Sequence, residues 1–248
     1  MLPHDAIRAT STDPLAWLSG MEGVPSAFAA ARDGIDVLLR DRGMRQTTAD
    51  QTAESLLRGA HASAVLEGSA SSLDEVREGV ADETAQAAVR VSTNLLGLAP
   101  LLNTSPLQVF ARIHSLAGVG TIPTEDLGRP ITPEAANRLT TLGNTLMTSQ
   151  SPALIIAALA HAELATVGAF ASHNGIVARA VERLIIASKG VDPFSVTVPE
   201  AGHLGVREVY ESNLRGYRNG GQGGLRAWLL YAAEAYTLGA EQSPVREQ

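Results

Sequence analysis

The sequence predicts an all-α protein, and three observations carry that prediction. Apolar residues make up 45% of the chain but aromatics only 4%, so alanine and leucine must supply most of the packing. That composition suits close helix–helix contact better than a sandwich or barrel, which favours β-branched and aromatic side chains. Helix start and stop signals recur along the chain. No stretch outside 118–131 alternates apolar and polar residues as a strand would, which argues against a parallel sheet and a dinucleotide-binding core. At 248 residues, the expected organisation is an N-terminal helical extension over 1–54, a main helical domain over 55–240 and a flexible tail over 241–248.

In chain order, residues 26–42 carry apolar side chains at helical spacing, interrupted by Gly34. A second helix spans 48–67 and ends at Glu67-Gly68, where glycine can take the left-handed conformation past a helix end. Ser72 with Glu75 forms a capping box, predicted to open one long helix reaching about Leu98. Ser105, Pro106 and Gln108 occupy the N-cap, first and third positions of the next helix, which runs to about Ala117. Gly118 to Ile131 holds three glycines and two prolines and reads as a loop or short hairpin. Thr132-Pro133 starts a helix to about Met147, and Ser151-Pro152 another to about Val167. A loop from Gly168 to His173 leads into a helix over Asn174 to Ser188. Residues 190–205 read as irregular, followed by helices near 206–217 and 223–240. The run Gly220 to Gly224 between them reads as a flexible connector, and the tail from Gln242 as frayed.

Composition also excludes function classes. A net charge of −7 argues against non-specific binding to nucleic acid or an anionic membrane. Lys189 is the only lysine, and arginine supplies the remaining positive charge, which fits a GC-rich genome better than a chemical need for arginine forks. With no cysteine, disulfides, thiolate metal sites and cysteine nucleophiles are ruled out. Met1 to Trp17 lacks a basic flank followed by an apolar run, so no signal peptide is expected. No run approaches about 20 apolar residues, so no membrane span is expected either, and the protein is expected to be cytoplasmic.

The most informative stretch is His161 to Arg183. A helix, a tight loop and a second helix opening at Asn174-Gly175 would point backbone N–H groups at the loop mouth, a natural phosphate site. An ordinary helix–helix turn is the plainer reading of the same pattern. The stretch resembles the Fic (Fic/Doc, Fido) family, whose motif between two core helices is His-Pro-Phe-x-Asp/Glu-Gly-Asn-Gly-Arg-x-x-Arg. Gly168 to Arg179 lies on that frame, with Phe170, Asn174, Gly175 and Arg179 matching. Ala160-His161 stands where the family often has Ala-His. Arg112 to Leu116 followed by Asp126 to Arg129 resembles the segment around the family's target-binding flap, with Gly128 and Arg129 as the flap residues. Tyr210 to Leu214 resembles its downstream Tyr-x-x-x-Leu helix. The likeness covers roughly residues 55–240.

A second motif resembles the N-terminal self-inhibited class, in which a helix ends Ser/Thr-x-x-x-Glu-Gly/Asn and lays its Glu on the last motif arginine. Ser63, Glu67 and Gly68 match that pattern. Glu67-Gly68 as a simple helix end is the alternative. The resemblance therefore implies a Fic-like helical bundle with a short β-hairpin flap. Phosphate or nucleotide would sit at Asn174, Gly175 and Arg179, with Glu67 closing the site.

The departures from the motif bear on chemistry. The family's histidine takes the proton of the target hydroxyl that attacks ATP; here Gly168 stands in its place. A positioned base contributes about 10²- to 10⁴-fold in rate. The acidic residue that holds Mg²⁺ is Ser172, and the first phosphate-clamping arginine is Ile176. His173 is the one candidate replacement base, five residues from the family position. The resulting expectation is an impaired adenylyltransferase relative, a regulatory module that binds ATP without tightly held Mg²⁺ and meets an unnamed protein partner. An active transferase with a changed base and a helical scaffold with no nucleotide site are the alternatives. No metal site is expected, because His61, His114, His161 and His203 lack short ligand spacing. Trp228, Leu229 and Tyr231 read as core packing or as a homodimer face.

Overall fold

The computed structural model describes residues 13–40 and 47–247. Among them lie twelve α-helices and no strand. The helices are α1 (Val24–Arg40), α2 (Ala49–Leu66), α3 (Leu73–Glu78), α4 (Glu83–Leu95), α5 (Ala99–Leu102) and α6 (Pro106–Gly118). They continue with α7 (Pro133–Thr148), α8 (Ala153–Val167), α9 (Asn174–Ser188), α10 (Pro199–Gly205), α11 (Arg207–Arg218) and α12 (Gly221–Glu241). None is long and apolar enough to cross a membrane. The predicted end of the first helix at 41–42, and most of the stretch read for a signal peptide, lie outside the described residues.

The capping box at Ser72 and Glu75 forms as read, each side chain accepting the other residue's backbone N–H. It opens only α3, however, and the long helix to Leu98 is two helices. Gly79 ends α3 in the left-handed region at φ 74°, where a side chain would be strained. Asp82 then caps α4 by accepting the N–H of Ala85 at 2.9 Å. Segment 118–131 is not a hairpin: it is a loop with one 3-10 turn at Thr124–Asp126. Pro123 and Pro130 cannot donate to a ladder there. The irregular stretch 190–205 contains α10, started by Pro199 at its first turn. The glycines at 221–224 are no connector; they form the first turn of α12, and Gly224 packs its backbone on Gly216 of α11. Near the C-terminal end, Pro244–Glu247 form a 3-10 turn, with Ser243 and Pro244 buried.

The site is carried by the innermost pair of helices, α8 and α9. Helix α8 is apolar all round because it is surrounded; Leu154, Ile156, Ala158, Ala162 and Leu164 are all buried. Its alanines let neighbours approach closely, and the indole of Trp228 on α12 donates to the Ala158 carbonyl at 2.8 Å. In α9 every residue from Ile176 to Ala187 is buried, including Arg179, Glu182 and Arg183. Polar side chains so placed must be paired. Trp228, Leu229 and Tyr231 are core residues, so the homodimer-face reading of them does not hold. Helix α2 lies across α9 and packs on α4 and α10, while α1 packs on α12 with Phe28 against Tyr236 at 6.2 Å between ring centres.

Candidate functional site

Helix α8 ends at Gly168 in the left-handed conformation (φ 60°), and the loop to α9 ends at His173, left-handed as well (φ 58°). Between them the chain is held by Asn174. Its Oδ1 accepts the Phe170 N–H at 3.0 Å, and its Nδ2 donates to the Phe170 carbonyl at 2.9 Å. Both polar ends of Asn174 are thus spent on the turn itself. The buried Phe170 ring stacks on His114, 4.3 Å between centres and 10° from parallel.

His114 and the 118–131 loop belong to the same assembly. The Gly128 N–H donates to His114 Nδ1 at 2.9 Å, and the Ile131 N–H donates to the Ala169 carbonyl at 2.9 Å. Accepting at Nδ1 places the imidazole proton on Nε2, a buried atom with no well-aligned partner. Burial, with the neighbouring His173 adding to it, lowers the His114 pKa to about 4. Arg129 is exposed beside this anchor. His173 is half-buried, with its Nδ1 2.6 Å from Ser172 Oγ, and burial lowers its pKa.

One turn into α9, Arg179 is buried, at 1% side-chain exposure, and reaches α2. Its Nε donates to Ser63 Oγ at 2.9 Å, and its Nη2 donates to the Ser63 carbonyl at 3.1 Å and to Glu67 Oε1 at 2.7 Å. Its Nη1 donates to Tyr210 Oη at 3.1 Å. Burial alone would lower the Arg179 pKa, but Tyr210 and Glu67 outweigh it and hold the guanidinium charged. Glu67, the C-cap of α2, is followed by Gly68 at φ 95° and remains 31% exposed. Its carboxylate lies against Gly175, where a Cβ would collide with Glu67 Oε1. Sequence alone placed Ser63, Glu67, Gly175 and Arg179 in two separate motifs; the fold brings them together. Gly128 meets the same loop through His114, whereas Arg129 reaches none of these groups.

The sequence singles out His161, His203, Tyr210 and Tyr231 separately, but neither Glu182 nor the network that joins them behind Arg179. Tyr210 Oη is 3.0 Å from His161 Nε2, and His161 Nδ1 is 2.9 Å from Glu182 Oε1. His203 Nε2 lies 3.0 Å from Glu182 Oε2, and its Nδ1 lies 2.8 Å from Tyr231 Oη. Tyr236 donates to Glu182 Oε1 at 2.9 Å. Although no short ligand spacing joins them in sequence, the donor atoms of His161, Glu182 and His203 lie within 4.8 Å of one another, all buried. Each ring nitrogen nevertheless lies close to a polar partner: His203 shares hydrogen bonds with Glu182 and Tyr231, while His161 Nδ1 meets Glu182 Oε1 at 2.9 Å without hydrogen-bond alignment. Burial would raise the Glu182 pKa, but His161 and His203 outweigh it and keep the carboxylate ionised. Burial lowers the His161 pKa, keeping that ring neutral.

No family model matches the sequence, and no curated protein matches it. Solved structures do. A Fic family protein from Desulfovibrio desulfuricans G20 superposes with a TM-score of 0.71 at 15% identity, over 87% of this chain and 73% of that one. This chain has the Fic fold. A fragment of Fic-1 from C. elegans matches with a TM-score of 0.64 at 17% identity, over 91% of this chain and 72% of that one. A variant of the same fragment gives 0.67 at 19% identity, with the same coverage.

Against the Mg²⁺ that the Fic resemblance implies, the loop's donor set does not fit. Ser172 offers an uncharged hydroxyl already bonded to His173, and the 168–175 turn contains no carboxylate. A magnesium ion calls for carboxylate oxygens in near-octahedral array.

Proposed function

We propose that this protein is a Fic-fold regulatory module that does not transfer AMP, with a phosphate-facing turn clamped shut by Glu67 and a surface that meets a protein partner. The observation that carries the reading is the Glu67 carboxylate, seated on Arg179 and against Gly175 at the first turn of α9. An anion is held at such a helix start by free N–H groups and a nearby cation, and here a carboxylate of the chain takes that place. The loop adds no base at the motif position, since Gly168 has no side chain and only open space where a Cβ would be. Losing a positioned base, an anionic metal ligand and a phosphate-clamping arginine together removes most of what phosphoryl chemistry rests on.

Calorimetry with ATP and ADP on the native chain and on Glu67→Ala tests the clamp. Binding that appears or tightens at least tenfold in Glu67→Ala is the expected result, and no heat from either protein in any Mg²⁺ condition would favour a scaffold with no nucleotide site. Incubation of Glu67→Ala with labelled ATP and Mg²⁺ tests the inactivity; label on the protein itself or on an added protein would overturn it. The 2.6 Å contact of Ser172 Oγ with His173 Nδ1 favours one second reading, a transferase using His173 as base. Label that appears in Glu67→Ala and disappears in Glu67→Ala/His173→Ala would establish it.

A further inference from the structure

We infer that Glu182 is a second, buried counter-charge for Arg179, acting through Tyr210 and His161, so that the α2 clamp can open without leaving the guanidinium uncompensated. The direction of each proton follows from the two ends. Arg179 has only donors, so at the 3.1 Å contact Tyr210 Oη must accept from Nη1. The Tyr210 hydroxyl hydrogen then goes to His161 Nε2 at 3.0 Å. That fixes the His161 proton on Nδ1, which faces Glu182 Oε1 at 2.9 Å. The Arg179 and Tyr210 donors thus point toward the carboxylate, and the His161 N–H makes the last step as a close charge–dipole contact without hydrogen-bond alignment.

On the far side of Glu182, His203 bridges Tyr231 Oη at 2.8 Å and Glu182 Oε2 at 3.0 Å, and Tyr236 donates to Oε1. Glu182 is wholly buried, with Tyr236 and His203 on its hydrogen-bond positions and His161 Nδ1 2.9 Å away. The Tyr236 hydroxyl and the neutral His161 ring bring no formal charge to Glu182, and the permanent cation at the end of this network is Arg179. Arg183, one turn further along α9, is committed to Glu200 at 2.8 and 2.6 Å. The same arrangement explains why Arg179 can be 1% exposed while its surface partner Glu67 is 31% exposed. A buried cation that relied on one half-exposed carboxylate would be stranded whenever that side chain swung into water.

The inference rests on the closed-clamp reading above, yet its test reads folding stability with no nucleotide present, so the two can fail separately. Urea unfolding is measured for the native chain, Glu67→Ala, Glu182→Gln and the double variant. With two counter-charges, each single variant leaves one in place and the double leaves none. The double variant's unfolding constant is therefore expected to exceed the product of the two single effects by at least tenfold, and the excess should vanish when Arg179→Met is added. If Glu182→Gln does not fold, Tyr210→Phe breaks the same line and replaces it in the cycle. Effects that multiply within twofold would overturn the inference, because a merely structural Glu182 gives independent losses. Stoichiometric zinc in the purified native protein, absent from Glu182→Gln, would overturn it too, since an ion would then balance the carboxylate.

Discussion

Arg179 and Arg183 stand one turn apart on α9, and both reach across to α2, yet they are held in opposite ways. Arg183 grips Glu200 with Nε and Nη2 and reaches Ser55 and Ser195 with Nη1, and both members of the pair are almost fully buried. Arg179 is just as buried, but its carboxylate partner sits at the surface end of α2. The position of the acid, not of the arginine, separates a fixed strut from a releasable clamp. A bidentate buried pair cannot open without desolvated charges being left behind, whereas Glu67 can exchange the guanidinium for water.

Breaking the strut should have the largest effect. Glu200→Gln strands the Arg183 charge and is expected to lower stability by about 3–5 kcal/mol in urea titration, with little gain in nucleotide binding. Next comes acid. The His114 pKa is about 4 when folded and 6.5 when not, so below pH 6.5 the unfolded chain takes up a proton that the folded chain refuses. Stability should be full above pH 6.5 and fall as pH drops toward 4, by at most about 3 kcal/mol. His114→Asn, which can still accept the Gly128 N–H, should flatten that slope. Glu67→Ala lies between the exposed and buried limits for an ion pair and should cost about 1–2 kcal/mol. Exchange of the amides at 63–68 should speed up with it. The smallest stability change belongs to Gly175→Ala. Its Cβ displaces the Glu67 carboxylate, but alanine in the first helical turn returns up to about 1 kcal/mol. It should therefore open the clamp, read by the same amide exchange, at nearly unchanged Tm. Equal stability losses for Glu200→Gln and Glu67→Ala would erase the contrast between strut and clamp.

Much of this was legible where the cause is local. The capping box at Ser72, the proline starts at Pro106 and Pro133, and the glycine past Glu67 act within a few residues and could be read directly. The break at Gly79 was missed because the apolar rhythm continues past it. The Gly-rich start of α12 was missed because its glycines look flexible until α11 is placed against them. In the site, Glu67 and Arg179 each sat in a recognisable motif, so their meeting could be anticipated. Asn174 could be picked out, but not its attachment to Phe170.

The sequence by itself determined an all-helical chain, where most helices begin, and a turn into α9 that carries glycine at 168, serine at 172 and isoleucine at 176. These depend on residue type and short spacing, which the chain carries explicitly. Only the tertiary structure decided that His161, Glu182, His203 and Tyr210 share one buried network behind Arg179. They stand on four separate helices, α8, α9, α10 and α11, and no spacing rule links them. Helix packing alone sets which faces of those helices meet, and with it which charges balance.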